Sequence, residues 1–91
     1  MNINIKNFLK VPVNVFLYSK ESSEMKHVSI LNSREKRSMT FPIPKSFFSS
    51  PNNFMYIRFM IGSPPGDFII FGDYCLSSKK IPENLYIGKI R

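Results

Sequence analysis

The sequence predicts an all-β fold: a small antiparallel β-sandwich or partly open barrel of roughly six to eight short strands, with at most one short helical turn near residues 45–50. Three observations carry this expectation. The chain of 91 residues has no alanine, the best helix former, yet contains nine phenylalanines, eleven isoleucines and seven prolines. Its apolar residues repeatedly fall at every second position, the period of a strand with one covered face. Clusters of Pro, Gly, Asn and Ser interrupt those runs at intervals of roughly 8–12 residues, the punctuation of hairpins rather than of crossover helices.

Each element follows from its own stretch of chain. Residues 2–6 alternate Ile3 and Ile5 with polar side chains and form the first strand. Residues 11–19 form the second, with Val11, Val13, Val15 and Leu17 on one face and Asn14, Phe16 and Tyr18 on the other. Pro12 has no N–H to donate, so it belongs at a strand start, on an edge or at a bulge. A polar turn carrying Ser22 and Ser23 leads to a third strand at 25–31, and the pair forms a hairpin. Residues 32–37 make a charged loop, after which Met39 and Phe41 resume the alternation until Pro42 and Pro44 end it. The stretch 45–50 is entered by proline and closed by Pro51, and its adjacent Phe47 and Phe48 plug one end of the core. Residues 54–61, with Met55, Ile57, Phe59 and Ile61 on one face, form the strongest strand and belong at the centre of a sheet. Two glycines and two prolines over 62–67 permit a tight reversal into the apolar run 68–71. Gly72 and Asp73 break or bulge that strand before Tyr74, Cys75 and Leu76, and residues 85–90 supply the last strand.

Length gives one domain spanning 1–91, with a core large enough to fold alone but thin. The single Cys75 has no internal partner, which favours a reducing compartment, so an intracellular protein is expected, in the cytoplasm or within a virus particle. The opening residues lack the continuous apolar run of a signal peptide. The most apolar window, 54–61, contains Arg58 and is too short to cross a bilayer as a helix. Thirteen Lys and Arg against six Asp and Glu give a net charge of +7, which favours acidic partners such as nucleic acid, anionic lipid or an acidic protein face. The same enrichment in Lys, Ile, Asn, Phe and Tyr is the imprint of an AT-rich genome, so the charge has a mutational explanation beside the functional one. Lys6, Lys10, Lys89 and the internal prolines also suit strand edges that must resist further pairing.

Catalysis by acid–base or nucleophilic chemistry needs convergent titratable groups. Here the supply is one histidine, His27, one cysteine, Cys75, and six separated carboxylates. His27 and Cys75 fall on different strands without an orienting third group, and they read as a half-exposed strand histidine and a buried thiol. Zinc or calcium spacing is absent, and Gly62 to Gly66 lacks the Lys and hydroxyl of a phosphate-binding loop. No catalytic residue, cofactor, metal or small-molecule substrate is therefore expected. Arg34, Lys36 and Arg37, the pair Lys79 and Lys80, and Tyr56, Tyr74 and Tyr86 would together suit a charged stacking platform for single-stranded nucleic acid.

The run Asn7-Phe-Leu-Lys-Val-Pro-Val-Asn-Val-Phe-Leu-Tyr18, followed by Leu31-Asn-Ser-Arg-Glu35 and Phe41-Pro-Ile-Pro44, resembles the opening of the β domain of the von Hippel-Lindau family. It is also similar to the adaptor-binding β repeats of bridge-like lipid-transfer proteins. The likeness covers about half the chain and lies in strand and turn rhythm; the glycine usual in the second turn is replaced by Ser33 and Arg34. It implies a non-catalytic sandwich that binds proteins and assigns no residue a role.

The expectation is therefore a non-enzymatic protein-binding or structural β-sandwich that binds a partner or itself, a small subunit of a larger assembly such as a virus particle or multiprotein complex. The alternative is a basic β-barrel that binds single-stranded nucleic acid. Candidate contact residues are Phe47, Phe48 and Phe54 for an apolar patch and Arg34, Lys36 and Arg37 for an acidic partner.

Overall fold

In the computed structural model, which describes residues 1–20, 23–50 and 52–89, the alternating sequence becomes seven strands in two unclosed sheets. They are β1 (Asn2–Asn7), β2 (Val13–Ser19), β3 (Glu24–Leu31), β4 (Lys36–Thr40), β5 (Phe54–Gly62), β6 (Phe68–Ser77) and β7 (Asn84–Ile87), with one 3-10 turn at Lys45–Ser49. One sheet has the order β4-β1-β7 and the other β3-β2-β5-β6. Ser22, Pro51 and Ile90, assigned above to a turn, a helical end and the last strand, lie outside the described residues.

Hairpin turns force sequential neighbours to run antiparallel, as in β2–β3 and β5–β6. The exception to the antiparallel expectation is β1 with β7, which pair parallel from Asn4 opposite Asn84 to Asn7 opposite Ile87. No local turn signal reports such a pair, because its strands stand at opposite ends of the chain. The core fills the space between the sheets: Ile3, Ile5, Met39, Leu85 and Ile87 meet Val13, Val15, Leu17, Ile57, Phe59 and Leu76. As expected, β5 is an interior strand of its sheet, between β2 and β6, and Pro12 precedes β2 instead of interrupting its ladder.

Two local expectations need correction and a third resolves between its alternatives. Lys36 and Arg37 begin β4 rather than ending a loop, because β1 offers them partners at Lys6 and Ile5. Of the break or bulge expected at Gly72 and Asp73, β6 shows a bulge. The strand stays paired to β5 along its length and absorbs one extra residue where the register shifts beside Phe59 and Met60. Finally, Phe47 and Phe48 do not both plug the core. A 3-10 turn advances about 120° per residue, so the two side chains leave it in different directions; Phe47 is 5% exposed in the core, and Phe48, whose ring meets that of Phe47 edge-on with centroids 5.2 Å apart, is 45% exposed.

Asn7 closes one end of the sandwich. It is fully buried, and its Nδ2 donates to the carbonyls of Val11 at 2.9 Å, Leu31 at 3.4 Å and Asn32 at 3.1 Å. Its Oδ1 accepts the Leu9 N–H at 2.9 Å. A single amide thus ties β1 to the start of β2 and the end of β3.

In the β3–β4 turn, Arg34 holds φ at +63°, a left-handed conformation that disfavours any side chain. Replacing Arg34 with Gly should stabilise the domain by about 1 kcal/mol, a rise of about 4–8 °C in Tm for a domain of this size. Thermal unfolding by circular dichroism checks this; a fall in Tm would mean that contacts of the arginine outweigh its backbone strain.

Candidate functional site

Period-two alternation sorts the basic residues. Lys36 lies directly opposite Lys6 in the β1–β4 pair, and Lys6 lies opposite Tyr86 in the β1–β7 pair, so Lys36, Lys6 and Tyr86 form one row across the outer face of the smaller sheet. The Lys6 ammonium donates to the Arg34 carbonyl and sits 5.6 Å from the Phe8 ring centroid. The Lys89 ammonium is 4.6 Å from the Tyr86 centroid, and the Phe8 and Tyr86 rings are 6.1 Å apart. Phe8, Arg34, Gly88 and Lys89 line a depression of about 360 Å³.

Arg34 and Lys36 therefore share a corner with Lys6 and Lys89, whereas Arg37 turns away from it. Its register partner is the buried Ile5, its guanidinium donates to the Ile30 carbonyl on β3, and its Nε is 3.6 Å from the Glu35 carboxylate. Lys79 and Lys80 lie in the turn after β6, outside the lining of this corner. Sequence reading treated Lys6 and Lys89 as edge blockers and missed Phe8. The local signal was the nearby pairing of a cation with an aromatic, Lys6 with Phe8 and Tyr86 with Lys89; only the parallel β1–β7 pair brings the two together.

On the outer face of the larger sheet, Arg58 lies between Phe16 on β2 and Asp73 on β6. Its Nε and one terminal nitrogen donate to the two Asp73 carboxylate oxygens at 2.9 and 3.0 Å, and its guanidinium carbon is 4.3 Å from the Tyr18 centroid. The hydrogen bonding that Arg58 donates to Asp73 raises its pKa above the ordinary value; partial burial opposes this, and the charges of Asp73 and Tyr18 add to it. The Arg58 cation is therefore permanent at any working pH. Lys20 occupies a position 5.0 Å from the Tyr56 centroid. Tyr74 is packed against the core, so it is not an exposed stacking ring; Tyr86 is exposed.

His27 and Cys75 occupy β3 and β6, the two edges of the larger sheet, with β2 and β5 between them. Three strand spacings place them roughly 14 Å apart, too far for a proton to pass between them. His27 Nε2 is instead 3.0 Å from Asn14 Oδ1, and its ring packs edge-on against Phe16. Cys75 is exposed, contrary to the buried thiol expected, because it pairs across from Tyr56 on the outward face. Among the described residues no group of three or more His, Cys, Asp and Glu side chains is placed to hold a metal ion, and no helix is long and apolar enough to cross a membrane.

The apolar candidates divide as well. Phe48 and Phe54 are exposed, while Phe47 is buried and cannot present its ring to a partner. Phe54, Pro44, Ser46, Asn53 and Met55 border a hollow of about 190 Å³ beside the 3-10 turn. A larger apolar surface lies elsewhere. Phe68, Ile69, Ile70 and Phe71 are consecutive on β6 and all exposed, Ile69 to 65%. Three strands cannot cover four, and β6 is an edge strand with β5 as its ladder partner. The sequence marked 68–71 as an apolar strand but could not place it at an edge.

Compared with protein-family models, curated proteins and solved structures, the chain shows no match. The likeness to the von Hippel-Lindau β domain accordingly extends no further than strand and turn rhythm, and it transfers no residue role.

Proposed function

We propose that this protein is a non-enzymatic β-sandwich that works by protein contact, as a small subunit of a larger assembly such as a virus particle or multiprotein complex. The observation that supports this reading is the unbroken exposed run Phe68, Ile69, Ile70 and Phe71 on an edge strand. Apolar side chains exposed on both faces of an open edge strand are costly in water and recruit another chain. One unpaired cysteine suits a reducing, intracellular setting for such a subunit.

A second reading, binding of single-stranded nucleic acid, is favoured by one feature. Lys6 and Lys36 stand directly opposite each other, a like-charge pair that an anion bound at this corner would relieve. One experiment weighs both readings: sedimentation velocity of the purified protein, alone and with a labelled oligothymidylate, at low and physiological salt. Concentration-dependent association, or a protein recovered with it in fixed stoichiometry, is the expected result. A monomer without a protein partner overturns the first reading. An oligonucleotide that co-sediments and is released steeply by salt establishes the second in its place.

A further inference from the structure

We propose that β6 is a self-pairing edge, at which the segment Phe68 to Phe71 of one copy lies antiparallel against the same segment of a second copy about a two-fold axis. This inference rests on the protein-contact reading and names its surface and partner. The free edges of the two sheets differ in charge. β3 carries Lys26 and His27, β4 carries Lys36 and Arg37, and β7 is four residues long between Glu83 and Lys89. Arg37 additionally occupies a β3 carbonyl at Ile30. These are the devices that keep edges from pairing.

β6 carries no charged side chain along its first half, and its one irregularity there is the extra residue opposite Phe59 and Met60. Its single charged residue, Asp73, is neutralised by two hydrogen bonds from Arg58. Its far end is partly closed by the bridge from Ser77 to Lys80, which leaves the Phe68 end open. Two chains of charge +7 repel each other over most of their surfaces. Along the uncharged stretch Phe68 to Gly72, bounded by Asp67 and Asp73, they can approach without setting lysine or arginine side chains against one another. A two-fold interface uses one patch twice, so the apolar run supplies both halves of the contact.

Four half-exposed Phe and Ile side chains offer on the order of 400 Å² of apolar area per copy. That falls below the roughly 800 Å² per partner of a standard interface, so the contact belongs with small, weak interfaces and is tested at high protein concentration.

Sedimentation equilibrium at about 50 µM tests the proposal, with Ile69→Lys and Phe71→Lys placing like charges across the axis and His27→Lys on the opposite edge as control. The expected result is a dimer for the wild type and His27→Lys and a monomer for both β6 variants, each with unchanged far-ultraviolet circular dichroism. A dimer that survives both β6 substitutions overturns the assignment of the edge. A wild-type monomer that retains a stoichiometric protein partner overturns self-pairing and leaves the protein-contact reading in place. A monomer with no partner overturns both.

Discussion

Replacing Asn7 with Ala should destabilise the domain by about 3 kcal/mol, a large part of the roughly 5–10 kcal/mol available to a domain this small. The amide makes four hydrogen bonds from a fully buried position. Its removal takes a donor from the carbonyls of Val11, Leu31 and Asn32 and an acceptor from the Leu9 N–H. A buried group left unsatisfied costs about 1–3 kcal/mol. Three of the four bonds are only partly buried, so water restores some of the loss. The corresponding fall in Tm is about 12–24 °C. Asn7→Asp should cut deeper at neutral pH, because a carboxylate accepts only and would face three carbonyl oxygens. Thermal and urea unfolding of both variants provide the check. A Tm for Asn7→Ala within about 3 °C of wild type would mean that solvent replaces the whole network.

Gly62→Ala should cost about 2–4 kcal/mol, for reasons confined to one turn. Gly62 ends β5 with φ at +81°. A Cβ there would overlap the Asp67 carbonyl oxygen and lie 3.1 Å from Phe68 Cα. These are backbone atoms on the returning strand, so no side-chain rotation relieves the overlap. The reversal must widen, breaking the Gly62–Phe68 pair and straining the bond from Asn14 Nδ2 to the Gly62 carbonyl at 2.9 Å. Gly72→Ala is the matched control, because its added Cβ meets nothing within 4 Å. Unfolding midpoints should drop for the first and stay within about 0.5 kcal/mol of wild type for the second. Equal losses would show that the cost is not specific to the turn, because the effect of Gly→Ala on the unfolded chain is stabilising at both sites.

Short-range patterning was enough to locate the strands, because a buried face repeats every two residues wherever it occurs. Ile3 and Ile5, Val13 and Val15, and Ile57 and Phe59 all fill the core as their spacing implies. What depends on neighbours in space was not legible. Cys75 faces outward because the extra residue in β6 resets which side chains point in, and a reader of the sequence cannot tell where alternation slips. Phe47 enters the core while Phe48 stays outside because of how the 3-10 turn seats on the sandwich, which two adjacent identical residues do not reveal. Arg34 and Lys36 stood out as a charged run, yet the residues that complete their corner arrive from both ends of the chain. The exposure of Phe68 to Phe71 follows from strand order, which period-two patterning does not encode.

The parallel pairing of β1 with β7 sets the schedule on which the protein can be made. A chain leaving the ribosome can zip its β2–β3 and β5–β6 hairpins as each emerges, since those partners are close in sequence. β1 is synthesised before the other six strands yet sits in the middle of its sheet, and one flank stays bare until Asn84–Ile87 have been translated. The newborn polypeptide is thus a bracelet whose clasp is cast last, and crowding by sister chains is most hazardous before it snaps shut.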